Sequence, residues 1–133
     1  MKRRTTLLIV LLLLTQVLPA AARSERDLQR EIDAVRESMR AAIQRDDAEG
    51  SLLHYADDAI FYPVLRPLVD TPEENLKQMR YALDIGLHDF RVVTEELIGD
   101  GEDYVVEIGR CTFYNGLGET LNTVRLSLIH ISE

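Results

Sequence analysis

The chain has 133 residues, 46% hydrophobic and 29% charged, with 23 acidic against 15 basic side chains and a formal net charge of -8. That length allows one small domain built on one core. An acid excess of this size repels phosphate backbones and anionic headgroups, which argues against nucleic acid or a membrane surface as partner. The single cysteine, Cys111, excludes an internal disulfide.

In chain order, residues 1–22 come first: KRR, then the apolar run LLIVLLLLTQVL, then PAAA. A basic start, a short apolar stretch and a small-residue cleavage pattern at Ala20 and Ala22 make up a secretory signal peptide. The run over residues 7–18 is shorter than the roughly 20 residues a membrane-spanning helix needs. Cleavage is expected before Arg23, removing the three positive charges of Lys2, Arg3 and Arg4 and taking the formal charge from -8 to -11. A lipoprotein anchor needs a cysteine directly after the cut, and Cys111 lies far from it. The expected product is soluble and periplasmic or secreted, with no membrane contact after cleavage.

The next element opens at Ser24, an N-cap with Asp27 three residues on. Leu28, Ile32, Val35, Met39, Ala42 and Ile43 recur at spacings of three and four, so this is an amphipathic helix. Asp46 and Asp47 end it and cap a short helix expected over residues 48–55. The pair Asp57-Asp58 follows, and then AIFYPV, a short aromatic strand closed by Pro63. Thr71, Pro72 and Glu74 form the start of a third helix, with a capping box and proline in the first turn. Leu76, Met79 and Leu83 are its buried stripe, and Gly86 is placed to end it near Ile85.

From His88 the pattern changes to period two. DFRVVTEELI, the turn GDGED, YVVEIGRCTFYN, the turn NGLGE and TLNTVRL read as three strands of an antiparallel meander. Helices followed by sheet define an α+β domain. Cys111, inside the second strand, reads as a small buried hydrophobe, with pairing between chains as the alternative.

The stretch QRDDAEGSLLHYADDAIFYP, followed by a capped helix and the meander, resembles the nuclear transport factor 2-like superfamily, which includes the SnoaL-like and ketosteroid-isomerase-like domains. The similarity covers about residues 28–123. It implies a cone: a curved antiparallel sheet wrapped around the long first helix, with a pocket at the open end and no obligatory metal or cofactor. The ligand pocket implied is apolar and rimmed by aromatics, drawing on Met39, Tyr55, Asp58, Phe61, Tyr62, Met79, Arg110 and Tyr114. The resemblance also implies a homodimer assembled through its sheet, and with the leader the expected function is that of an exported binder of a small, largely apolar molecule.

The chemistry within that pocket has two readings. Aspartates at a helix exit commonly hydrogen-bond local amides and hold the turn, whereas a catalytic carboxylate needs a cleft. In the steroid isomerases that the chain resembles, the base sits in the short strand after the acidic pair, where this chain has Tyr62, and the oxyanion donor on the first helix matches Met39. A phenol, with an ordinary pKa of about 10, is a weak base at neutral pH, and a thioether donates no proton. Family-type steroid isomerisation is therefore not expected. The enzyme alternative is a cofactor-free proton transfer, isomerase- or dehydratase-like, with Asp58 as base and Tyr62 or Arg110 stabilising negative charge. A third reading is a module that uses its open sheet face for protein interaction. Arg110 shares a strand face with Ile108, Thr112 and Tyr114; it enters the pocket if that face is the concave one, and otherwise pairs with a cross-strand acid. His54 and His88 lack metal-site spacing, and no phosphate loop or nucleophile elbow is present.

The domain is expected to cover residues 23–125 and to be incomplete. Residues 126–133, LSLIHISE, agree at every position with the translation of a transposase-type sequencing adapter, CTG TCT CTT ATA CAC ATC TCC GAG. The natural gene is expected to diverge at or just before Leu126, leaving the closing strands absent, His130 without functional meaning, and an unpaired edge that favours aggregation. The alternating residues of this tail still satisfy a strand pattern.

Overall fold

A computed structural model of the chain describes residues 24–61, 68–99 and 101–131. The expected leader, Tyr62 and the last two residues of the adapter-like tail lie outside these. Three helices precede three strands: α1 (Glu25–Ile43), α2 (Ala48–Ser51), α3 (Pro72–Asp84), β1 (Asp89–Ile98), β2 (Tyr104–Tyr114) and β3 (Thr120–Ile131). The strands form one antiparallel sheet in the order β1-β2-β3, an α+β arrangement whose sheet is not closed. Among the described residues, no helix is long and apolar enough to cross a membrane.

The helix starts follow their caps. Ser24 Oγ accepts the Asp27 amide at 3.2 Å, and Thr71 Oγ1 accepts the Glu74 amide at 3.2 Å. Each satisfies one of the amides that a helix leaves unpaired in its first turn. The third helix ends in a Schellman arrangement: Leu87 N–H reaches the Ala82 carbonyl and Gly86 N–H the Leu83 carbonyl, both at 2.9 Å, with Gly86 at φ 103°. At the end of α1 the same pair of bonds runs from Asp47 to Ala42 and from Asp46 to Ile43, but there the left-handed residue is Asp46, at φ 56°.

Two elements are shorter than the sequence suggests. Beyond Ser51 the chain leaves the helix and turns through i to i+3 bonds, Leu53 to Gly50 and Tyr55 to Leu52. Gly50 disfavours helix, and continuing it would not bury Leu53, which remains exposed. Of the aromatic strand, the described part is a single bridge in which Phe61 and Val69 exchange backbone hydrogen bonds of 2.8 and 3.1 Å.

The core lies between α1, α3 and one face of the sheet. Ile43, Leu87, Phe90 and Cys111 are buried together, and Met39, Met79, Leu83, Val92, Phe113, Val124 and Leu126 pack against them. Strand alternation from Cys111 puts Val105, Glu107, Gly109 and Phe113 on this inner face. Arg110, Ile108, Thr112 and Tyr114 therefore occupy the opposite face. Strand β3 runs through residue 131 in register with β2, so residues 126–131 continue the ladder, with Leu128 opposite Glu107 and His130 opposite Val105.

Candidate functional site

The apolar side chains expected to line a pocket divide into two groups. Met39 of α1 and Met79 of α3 meet over the buried cluster around Cys111. Tyr55 and Phe61 stack on one another, with ring centroids 4.8 Å apart and planes tilted by 44°. Tyr55 also lies near Cys111: burial pushes its phenol up to about 12, and the neighbouring thiol adds to the rise. Burial likewise pushes the Cys111 thiol up to about 11. Both groups are neutral at physiological pH, and no described residue hydrogen-bonds the Tyr55 hydroxyl. Around Cys111 the packing is thus apolar and uncharged, with the Tyr55 hydroxyl at its edge.

The candidates for proton chemistry are not assembled. Asp57 and Asp58 occupy the middle of an exposed turn that the Ala59 N–H closes on the Ala56 carbonyl at 3.0 Å. Arg110 is on the outer face, 59% exposed, with its Nε 2.8 Å from Glu95 Oε1. Of the two readings of Arg110, the pairing with a cross-strand acid is the one seen: residues 110 and 111 point to opposite sides of a strand, and it is Cys111 that is buried. Glu95 falls at a bulge between Thr94 and Glu96 and is shared by Arg110 and Arg125, so neither member of the Glu95-Glu96 pair is turned into the core. Tyr114 instead lines a polar cleft of about 410 Å³ at one end of the sheet, together with Gln44, His88, Asp89, Arg91 and Asn115.

The structure contains a charged cluster that the sequence reading missed. Glu107, on the inner face of β2, has a side chain with no exposure at all. Arg36 of α1 donates Nη2 to its Oε1, Thr94 Oγ1 donates to the same oxygen at 2.5 Å, and His130 Nε2 lies 3.0 Å from Oε2. Burial alone would raise the carboxyl, but the hydrogen bonds from His130, Thr94 and Arg36 outweigh it and hold the group at about 2. Arg36 also donates to Asp33 at 3.0 Å, while its Nε is buried with no hydrogen-bond partner. A signal for Glu107 was present: in YVVEIGRC it shares its strand face with Cys111, so burying the cysteine buries the carboxylate too. His130, expected to be without meaning, has a structural partner here. Among the described residues, no group of three or more His, Cys, Asp or Glu side chains is placed to hold a metal ion.

Comparison with known proteins gives a likeness of structure only. No family model matches the chain, and no curated protein does. A nuclear transport factor 2-like protein of unknown function from Shewanella oneidensis superposes with a TM-score of 0.59 at 14% identity, over 77% of this chain and 85% of that one. A protein of unknown function with a cystatin-like fold from Nostoc punctiforme gives 0.60 at 16% identity over 80% of each chain. The chain has the nuclear transport factor 2-like fold. A putative calcium/calmodulin dependent protein kinase II association domain from Xanthomonas campestris shares that fold, with a TM-score of 0.55, 17% identity and coverage of 85% and 81%. At these identities the nuclear transport factor 2-like fold transfers, and the neighbours' activities do not.

Proposed function

We propose that the chain is an exported small-molecule-binding domain whose ligand is a neutral, largely apolar molecule received at the Tyr55-Phe61 stack, at the margin of the core. The observation that carries this reading is Tyr55, a phenol kept neutral by its surroundings, beside Cys111 and stacked on Phe61, with no hydrogen bond from its hydroxyl to a described residue. Such a group donates one hydrogen bond to a ligand oxygen while Met39, Met79 and Phe61 supply apolar contact, the usual composition of a small-ligand site. Nothing in this site calls for a metal or a cofactor. Native mass spectrometry of the protein recovered from periplasm or medium tests it. The expected result is a bound apolar mass, with affinity lowered about tenfold in a folded Tyr55→Phe variant, the loss typical of one hydrogen bond. A folded protein that carries no ligand and binds none of a panel of apolar molecules would overturn the reading.

The proton-transfer alternative is less well supported, because Asp58 is in solvent and Arg110 is paired on the far face. Export rests on the leader pattern of residues 1–22, and a mature N-terminus at Arg23 is its test. A homodimer is favoured by the sheet's outer surface, where Val93, Ile98 and Tyr104 are 58%, 46% and 54% exposed. Sedimentation showing only monomer at micromolar concentration would count against it.

A further inference from the structure

Seven arginines of the described residues, Arg30, Arg36, Arg40, Arg45, Arg80, Arg110 and Arg125, are ion-paired with carboxylates. Arg91, like Arg26 at the start of α1, makes no such pair with a described residue, although the chain has a large excess of acids. Its guanidinium carbon sits 5.9 Å from the centre of the Tyr114 ring, and both side chains line the cleft of about 410 Å³ at the end of the sheet. The one acid in that wall, Asp89, is already engaged. Its Oδ1 accepts from Arg40 Nε at 2.7 Å and from the Phe90 amide at 2.8 Å, and its Oδ2 accepts from Arg40 Nη2 at 3.1 Å. Arg40 therefore takes the side-chain hydrogen bonds to Asp89, and Arg91, which acts on that carboxylate only through space, keeps its N–H fork free of hydrogen bonds to a described carboxylate.

We infer that this cleft is a binding site for a small organic carboxylate, received by Arg91. A guanidinium presents parallel N–H donors that match the two oxygens of a carboxylate. The Tyr114 face keeps that fork in place and offers a flat surface to the body of the ligand. The His88 ring and the Gln44 side-chain carboxamide, on the neighbouring wall, make no hydrogen bond to a described residue and supply further donors. The volume falls in the range of small-ligand sites, roughly 300 to 1,000 Å³. This site goes beyond the apolar one proposed above and does not depend on it: its groups are polar and its wall is the sheet's end and the following turn.

The test is an NMR titration of the isotopically labelled chain with sodium benzoate and, separately, inorganic phosphate, at constant ionic strength. Benzoate is expected to give saturable shifts centred on Arg91, Tyr114, His88 and Gln44, and phosphate, which has no flat body to lie on Tyr114, clearly weaker ones. Arg91→Gln, at an exposed position that does not endanger folding, weakens benzoate about tenfold or more, the loss of one charge-assisted contact. Arg110→Gln, on the outer face, leaves it unchanged. Equal benzoate affinity in the Arg91→Gln protein, phosphate binding as well as benzoate, or no saturable shift with benzoate would each overturn the proposal.

Discussion

Arg36 and Glu107, 71 residues apart in sequence, form an ion pair between α1 and the middle strand, with the carboxylate 0% and the guanidinium 12% exposed. The pair ties the long helix to the inner face of the sheet. Taking two charges out of water costs several kcal/mol per ion, and only close geometry and further hydrogen bonds return it. Glu107 has those bonds, from Thr94 and His130 as well as Arg36, whereas Arg36 Nε has none.

Breaking the pair on one side should cost more than removing it. Arg36→Met or Glu107→Leu alone leaves a buried charge without its counterpart, an expected loss of about 3 kcal/mol or more. The double variant, with both charges replaced by apolar groups, should be more stable than either single one. Urea unfolding of the three variants measures this; additive losses would show that the pair behaves as two independent sites.

The same carboxyl sets an acid limit. Its pKa is depressed when folded, to about 2 from an ordinary value of 4.5, so the unfolded chain takes up the proton first as pH falls. The stability it contributes, about 3 kcal/mol, is complete above pH 5 and is lost between there and about pH 2. Melting temperature against pH should decline through that window in the parent chain. In Glu107→Leu this component of the decline should be absent.

The two left-handed helix ends predict substitutions of opposite sign. Gly86 has φ 103° with open space around a Cβ, so Gly86→Ala should cost about 1 kcal/mol from backbone strain alone. Asp46 occupies the matching position after α1 at φ 56°, and Asp46→Gly should be neutral or raise the melting temperature.

On the outer face, Arg110→Ala should change stability by no more than about 1 kcal/mol, since its bond to Glu95 is exposed to solvent and screened. Its effect on binding an apolar ligand should be nil. A large loss of affinity in a folded Arg110→Ala protein would move the ligand site to the outer face.

Local patterns in the sequence sufficed for the elements whose cause is local. Ser24, Thr71 and Gly86 mark helix ends through bonds to amides and carbonyls a few residues away, and DFRVVTEELI matches β1 residue for residue. The nuclear transport factor 2-like fold was legible too, from the order of helices and meander, and a structural neighbour shares that fold at 14% identity. The inner face of β2 was signalled only by Cys111, since alternation alone gives two faces, and the tertiary structure decided that α1 covers the one that carries it. That choice set Arg110 against Glu95 in solvent and placed Glu107 beneath Arg36. Pairings across 49 and 71 residues, Arg40 with Asp89 and Arg36 with Glu107, leave no periodic trace, because each depends on where a helix crosses a sheet.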